Sequence, residues 1–533
     1  SPRRLLLLCG LAAVVGAAGG GAAYVLVHLI ALLTNLAFFH RVAWTLPSFT
    51  HLHRSPGIIL VAVTGGLIVG VIAKWAPIIR GHGIPEAMEA VLTRQSRIAP
   101  RTAIAKPASA AIAIGSGGPF GAEGPIIVTG GAIGSLLGQL VSVSASERKI
   151  LLASGAAAGM AATFGAPLAA VVLAVELLIF EFSTRALIPL MISASIAAGM
   201  HSLFFGSGPL FAVPAHHFAG LSQLPLYAPL GLACGGLAIV INKGLFAIED
   251  GFRRLPVSQF WWPAIGALGF ASVGMIVPRS LGVGYDQIGD VLNGRLAVGA
   301  LAVLLVAKLV AWWVALASGT SGGTLAPILL ISGCFGALLG HVAQSVPGVH
   351  VSPGAVALVA MAATFGAATR ATFTSIVFLF ELTRDYNSIL PLMLATVLAV
   401  LVASSFTRES IMTEKLTRRG LRVPSDYHAD ILRTTTVGSV MTASSETIQR
   451  DAAVADVAGA AGLKVVSVRS TDTVSDALER MLEEDVEHLP VVDDGELVGI
   501  CTRSDVMRAR RAQFAHEHTQ PGWLSRDGRN RVE

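Results

Sequence analysis

The sequence predicts an all-α polytopic membrane domain, an inverted repeat of broken and tilted helices, followed by a small α/β tail. Three observations predict it. First, the 533-residue chain is 53% hydrophobic and only 13% charged, where soluble domains carry about 25% charged residues. The deficit is uneven: residues 1–405 are apolar runs rich in Ala, Gly, Leu and Val, and the chain turns polar from about Thr407. Second, apolar segments lie near 4–37, 57–77, 103–115, 125–142, 150–181, 187–204, 226–247, 261–277, 297–317, 325–345, 354–366, 371–383 and 388–405. Several are shorter than the roughly 20 residues of a spanning helix, and Gly and Pro interrupt many. Third, the two halves correspond.

That correspondence is registered. Ser116, Gly117, Gly121, Pro125, Gly131, Gly134 and Gly138 recur as Ser318, Gly319, Gly323, Pro327, Gly333, Gly336 and Gly340, at a constant offset of 202. Met160–Gly165 recurs as Met361–Gly366, residue for residue, and the Ala166…Glu176 spacing recurs as Ala371…Glu381. Repeat halves at about 57–205 and 260–405 follow, within a membrane unit spanning 1–420. Short, broken hydrophobic segments in matching places of two halves point to a transport site.

Arg3 and Arg4 flank the first apolar run, and Lys415, Arg418, Arg419 and Arg422 follow the last. Positive flanks favour the cytoplasmic side, so both ends are expected there, in the cell (inner) membrane. The first run reaches about Phe39, too long for a signal peptide and without a clear cleavage site. Residue 1 is Ser, so the sequence is expected to start within a longer protein. Cys9, Cys234, Cys334 and Cys501 are far apart and fit packing roles better than disulfides. The net charge of +5 and the absence of a basic, aromatic-studded patch argue against nucleic-acid binding. No metal-ligand spacing is present.

The tail, 421–515, changes period. Lys464–Val468 is expected as a strand and Thr473–Glu484 as an amphipathic helix. His488–Asp493 and Glu496–Thr502 should be strands joined at Asp494-Gly495, with a helix from Asp505. Val437–Thr442 looks like the opening of another such module, so one near-complete copy and a remnant are expected. Residues 516–533 are expected to be disordered.

Glu123 is the only acidic or basic residue between Lys106 and Glu147. A charge at the bilayer centre costs roughly 2.5–3.5 kcal/mol or more, so it should face a pathway or a partner. It stands in Gly121-Ala122-Glu123-Gly124-Pro125, with Pro125 at an expected first helical position. A helix N-terminus offers unpaired N–H groups and positive potential. A carboxylate and a free anion would compete there, which is the physics of a gate. Gly81-His82-Gly83-Ile84-Pro85 is a second such helix start, whose amides can hold an anion without a full opposing charge. Gly323-Thr324-Leu325-Ala326-Pro327 repeats the Glu123 frame without the acid, so its amides are expected to lack an internal competitor.

These three loops, in this order and followed by such a tail, resemble the CLC family of chloride channels and chloride/proton exchangers, bacterial type, with a C-terminal CBS module. The family patterns are Gly-Ser-Gly-Ile-Pro, Gly-(Lys/Arg)-Glu-Gly-Pro and Gly-x-Phe-x-Pro. The resemblance covers about 4–420 and 437–512. It implies a non-enzymatic homodimer with one pore per subunit, chloride as the bound ligand and no required cofactor. It implies that Glu123 gates, and that Gly81, His82, Gly83, Ile84, Pro85, Gly121, Gly124, Gly323, Thr324 and Leu325 frame the anion.

Departures from the family are informative. His82 stands for the usual Ser; its imidazole can still donate and can titrate near neutrality. Ala122 replaces a basic residue and Leu325 a Phe. Exchangers often carry two acids at the places of Glu176 and Leu177; here the second, which serves the internal proton route, is absent. The inner-gate Tyr aligns with Met412, whose thioether is a poor partner for chloride. Thr502 and Asp505 resemble the Thr-x-x-Asp segment of CBS modules, so an adenine nucleotide is a candidate ligand there. Glu176 and Glu381 also read as caps at helix ends. The reading is passive or weakly coupled chloride conduction, because an aliphatic Leu177 cannot relay a proton; the alternative is a chloride/proton antiporter. Fluoride export, a nucleotide-sensing receptor and an intramembrane enzyme fit less well.

Overall fold

The computed structural model describes residues 2–213, 221–421, 423, 435–443, 466–493 and 496–516. The first half of the membrane body runs α1 (Pro2–Phe39), α2 (Gly57–Trp75), α3 (Ile84–Thr93), α4 (Pro100–Gly115), α5 (Glu123–Leu140), α6 (Ala145–Phe164), α7 (Pro167–Ala174) and α8 (Thr184–Phe204). The second runs α9 (Tyr227–Arg253), α10 (Trp262–Ile276), α11 (Tyr285–Leu292), α12 (Val298–Ala317), α13 (Leu325–Gln344), α14 (Pro353–Thr369), α15 (Thr372–Thr383) and α16 (Ile389–Phe406). The two series run in a similar order of long and short helices, with α1 standing first in one and α9 in the other.

Among the described residues, seven helices are long and apolar enough to cross a membrane. Helix α1, with 38 residues, extends about 57 Å at 1.5 Å per residue, well beyond a hydrocarbon layer of about 30 Å, so it must tilt or protrude. At the other extreme, α3, α7 and α11 have 10, 8 and 8 residues and cannot span. The apolar run 150–181 divides into α6, α7 and one wide helical turn, Val175–Ile179.

Small residues let the helices touch. A Cβ at Gly130 would stand 2.1 Å from the Gly155 carbonyl oxygen, and one at Gly134 2.0 Å from that of Leu151, so α5 lies backbone to backbone on α6. In the second half, Gly333 and Gly336 of α13 meet Met361 and Ala360 of α14. The registered glycines of the repeat are thus a packing frame; without a hydrophobic drive between helices in lipid, close backbone approach supplies the association.

Two buried lysines, also related by the repeat, pin the loops that precede the short helices. Lys106 Nζ donates to the carbonyls of Ile79 (2.7 Å) and Gly81 (2.8 Å). Lys308 Nζ donates to those of Ser280 (3.2 Å) and Gly282 (2.7 Å). An ammonium in this setting is tolerable because it takes up carbonyls the broken chain would otherwise leave bare.

The halves also cap each other. Glu176 accepts from the Phe373 and Thr374 amides (3.0 and 2.9 Å) and from the Thr374 hydroxyl (2.6 Å) at the start of α15. Glu381, on α15, accepts from the Leu168 and Ala169 amides (3.1 and 2.7 Å) at the start of α7. Each carboxylate sits at the partner helix's positive end, where it is stabilised.

The tail has its own small core of Val437, Val468, Val474, Ala477, Met481, Leu489, Val491, Cys501, Val506 and Ala509. Its sheet has the order β1–β3–β2, with β1 (Thr442–Ala443) and β2 (His488–Asp493) antiparallel to β3 (Glu496–Thr502). The expected strand at Lys464–Val468 does not form in its described part: only Val468 pairs, in a single parallel bridge to Val491. Helix Val474–Glu483 starts in a capping box of Thr473 and Asp476. The last helix starts at Arg503, two residues before the expected Asp505. The Asp494-Gly495 turn and nearly all of 516–533 lie outside the described residues.

Removing one exchanged cap should loosen the contact between halves. Glu381→Ala is expected to lower stability by about 1 kcal/mol, within the 0.5–2 kcal/mol typical of lost caps, read as a lower melting temperature in detergent; an unchanged melting temperature would contradict the capping role.

Candidate functional site

The three glycine–proline loops meet. Gly121 and Gly323 form an antiparallel bridge, the Gly121 N–H donating to the Gly323 carbonyl (3.2 Å) and the Gly323 N–H to the Gly121 carbonyl (2.8 Å). Gly81 and Ser321 form a parallel bridge. A Cβ at Gly83 would lie 2.6 Å from the Gly124 carbonyl oxygen, and one at Gly124 1.8 Å from that of His82 and 3.3 Å from the Gly323 Cα. The starts of α3, α5 and α13 are therefore in van der Waals contact around one point, and α5 and α13 meet N-terminus to N-terminus. Their first-turn amides, and their partial positive charges, converge.

Local sequence explains each start. Gly83, at φ 99°, makes a turn that L side chains rarely adopt, and Pro85 follows at the second position of α3, where a missing N–H costs nothing. Pro125 and Pro327 are the third residues of their helices, since α5 starts at Glu123 and α13 at Leu325. This corrects the expectation that Pro125 opens its helix: proline is tolerated throughout the first turn, because none of those amides has an intrahelical acceptor. Glu123 is instead the first helical residue.

Glu123 is buried, at 1% exposure. Its Oε1 accepts from the Tyr285 hydroxyl (2.9 Å). The carboxylate also draws on its own amide and on the Ala326 amide in the first turn of α13, and its Oε2 faces Gly323, whose added Cβ would lie 2.5 Å away. The second fact corrects the reading of the Gly323–Pro327 loop as free of an internal competitor: the Gly121–Gly323 bridge brings the Glu123 carboxylate to it.

His82 is also buried. Its Nε2 lies 3.3 Å from the Ile411 carbonyl, so that nitrogen carries the proton and donates. In the neutral ring Nδ1 is then an acceptor only, and it has no partner among the described residues. With its Nε2 proton on the Ile411 carbonyl, the imidazole can donate to an anion as a Ser hydroxyl would only when Nδ1 is protonated as well. The same bond brings segment 410–413 to the loop. Met412 is fully buried there, its amide donating to the Ser410 hydroxyl (3.2 Å), and the Ile411 amide donates to Ala368 (3.0 Å).

Leu177 is buried in the wide turn after α7, which packs against α3, and Glu176 is the cap on α15. In the tail, Asp505 is buried, and its Oδ2 accepts from the Thr502 amide (2.9 Å) and hydroxyl (2.8 Å). The Thr502 hydroxyl in turn accepts from the Asp505 amide (3.2 Å). This pair is a helix cap, and Arg508 stands 3.1 Å from the other oxygen.

Tyr285 and the two lysines were not singled out in the sequence. The signal was present: Pro77, Gly81 and Gly83 recur as Pro278, Gly282 and Gly284 at an offset of 201, so Tyr285 is the repeat partner of Ile84. Lys106 and Lys308 recur at the 202 offset of the Glu123 frame. What hides the fourth loop is that it lacks the proline: Asp286 stands where Pro85 does.

The chain resembles known proteins along most of its length. The profile of the family described as voltage gated chloride channel matches residues 64–404, and that of the CBS domain residues 454–512. A ClcB-like chloride channel protein of Ralstonia nicotianae is 31% identical over 378 residues, 69% of this chain and 87% of the relative. The H(+)/Cl(-) exchange transporter ClcA of Vibrio campbellii is 32% identical over 354 residues, 65% and 75%. Chloride channel protein CLC-f of Arabidopsis thaliana is 30% identical over 500 residues, 85% and 62%. Among solved structures, a eukaryotic CLC transporter superposes with a TM-score of 0.68 at 20% identity, over 95% of this chain and 99% of that one. A slow cyanobacterial Cl-/H+ antiporter gives 0.67 at 24%, over 79% and 98%. With the converging loops, these matches place the chain in the voltage-gated chloride channel (CLC) family of multi-pass membrane anion transporters, with a C-terminal CBS domain.

Proposed function

We propose that this protein exchanges chloride for protons across the cell membrane, with Glu123 as the group that competes with chloride and carries the proton. The observation that supports it most is the placement of the Glu123 carboxylate: it is buried at the meeting point of three helix starts, against the first-turn amides of α5 and α13. An anionic side chain held there occupies a place that suits a free anion equally well. Protonation removes its charge and its claim on that place. A carboxylate that must bind a proton in order to yield couples the two ions. Relatives at 32% identity are named H(+)/Cl(-) exchange transporters, which favours this reading over passive conduction.

In this reading, backbone amides near Gly83, Ile84, Thr324 and Leu325 bind the anion. Gly81, His82, Pro85, Gly121 and Gly124 shape the site, and Met412 lines its inner side. Amides are neutral donors, so the anion is held without the tight grip of a paired cation and can leave. The two lysines strengthen the local positive potential without touching the anion, since their ammonium groups are bound to carbonyls. The protein works as a homodimer, one pathway per subunit, with both termini cytoplasmic. Residues 1–420 form the transport unit and 421–515 the cytoplasmic module. An adenine nucleotide on that module would use the Asp505 Oδ1, in competition with Arg508; a nucleotide titration followed by melting temperature tests it.

Uncoupled or weakly coupled conduction is the second reading, and one observation favours it: Leu177 is aliphatic, and the neighbouring Glu176 is committed to capping α15. Liposome flux separates the two. Under exchange, an imposed chloride gradient drives protons uphill; chloride flux without proton movement would leave passive conduction.

Glu123→Gln should abolish proton movement while chloride flux persists; proton pumping that survives the substitution would refute the gating role. Gly124→Ala forces a Cβ against the His82 carbonyl, an overpacking that costs about 1–3 kcal/mol, and should slow chloride flux about tenfold; wild-type flux would refute the close convergence of the loops. Met412→Tyr, which adds a hydroxyl donor, should narrow selectivity among halides, and identical permeability ratios would place Met412 outside the pathway.

A further inference from the structure

We propose that Tyr285 is a latch on Glu123: its hydroxyl holds the carboxylate in the place that chloride needs, and breaking that bond is part of each turnover. The inference rests on the gating role proposed for Glu123 and adds to it a positioning residue from the other half of the repeat.

The geometry is specific. Tyr285 is the first residue of α11, set there by Gly284, whose φ of 88° turns the chain into the helix. The loop just before it is pinned by Lys308 through Gly282 (2.7 Å). The phenol is thus carried on a braced backbone, and its O–H reaches Glu123 Oε1 at 2.9 Å. The ring lies edge-on to Phe164 and Phe211, with centroids 6.1 and 6.4 Å away. These contacts fix its plane, so the hydroxyl is aimed rather than free. A hydrogen bond to an ionised carboxylate, shielded from water, is stronger than one between neutral groups.

The same residue has room to yield. It lines a recess of about 240 Å³ together with Ile30, Thr34, Ser48, Phe49 and Asp286. A side chain with a charged acceptor at its hydroxyl and open space beside it can let the carboxylate go without rearranging the core. The repeat explains why the contact is one-sided: Ile84, the partner of Tyr285, has no hydroxyl to offer, and Leu325, the partner of Glu123, no carboxylate to receive it.

The test is a double-mutant cycle on the full chain in liposomes: wild type, Tyr285→Phe, Glu123→Ala and the double variant. Phenylalanine keeps the ring and its aromatic contacts and removes only the hydroxyl. Tyr285→Phe should raise chloride turnover several-fold while Glu123 is present, and have no further effect once Glu123 is Ala. A ring with a merely structural role would change flux by the same factor in both backgrounds. Chloride titration calorimetry in detergent gives a second readout: Tyr285→Phe should tighten apparent chloride affinity several-fold with Glu123 present and leave it unchanged in Glu123→Ala. Unchanged or lowered turnover in Tyr285→Phe, or equal factors in both backgrounds, overturns the latch while the gate stands. If Glu123→Ala alone changes neither flux nor coupling, the gate fails and the latch with it. If Tyr285→Phe does not fold, Tyr285→Leu, which also lacks the hydroxyl, carries the same contrast.

Discussion

Backbone amides without acceptors are a liability in a membrane, and this fold gathers them at one place. Every helix begins with N–H groups that no residue of the same helix can accept, and lipid offers them no water. Here α3, α5 and α13 start inside the protein, and the pair of backbone hydrogen bonds between Gly121 and Gly323 holds two of those starts face to face. The rest of the architecture serves that arrangement. Glycine frames let α5 and α13 lie flat against α6 and α14. Two buried lysines absorb the carbonyls of the loops before the short helices. The exchanged carboxylates of Glu176 and Glu381 satisfy the starts of α15 and α7, the broken helices that are not left open. An anion, whether a side chain or a solute, is the natural partner for what remains.

Symmetry gives the scaffold and its breaking gives the chemistry. Equivalent positions carry equivalent structural duties: Ser116 packs on Gly65 and Ser318 on Gly266, and each lysine and each cap has its partner. At the centre the equivalence stops. Glu123 has Leu325 as its counterpart, and Tyr285 has Ile84. The two polar members of these pairs touch each other, so this side-chain hydrogen bond at the convergence point draws one member from each half. An arrangement of this kind distinguishes the two faces of a pathway that the backbone alone would leave nearly symmetric.

Much of this was legible in the sequence, and for identifiable reasons. The Glu123, Gly81–Pro85 and Gly323–Pro327 loops stood out because a lone acid in a long apolar run is costly and because Gly and Pro mark helix starts. The dual reading of Glu176 and Glu381 resolved to caps, since each meets the amides of the other's neighbouring helix. Other features depend on distance in space. That the Glu123 carboxylate reaches the Gly323 loop follows from a bridge between residues 202 positions apart. That the Nε2 of His82 is engaged by the backbone follows from a carbonyl at Ile411. The fourth loop, Gly282–Tyr285, escaped because the second residue of its helix is Asp286, where proline would have marked it. In the tail, the pair Thr502 and Asp505 has the spacing of a ligand motif and of a helix cap alike, and only the hydrogen bonds tell which duty is being performed.

At the meeting point of the three helix starts, a halide is expected to compete with the Glu123 carboxylate. Bromide, a close analogue of chloride with a strong anomalous signal, tests it in crystals of the wild type and of Glu123→Gln. An anomalous peak is expected among the amides of Gly83, Ile84, Thr324 and Leu325, gaining occupancy at the vacated carboxylate position in the variant. Bromide absent from this junction in both proteins, or of equal occupancy and position in both, would contradict it.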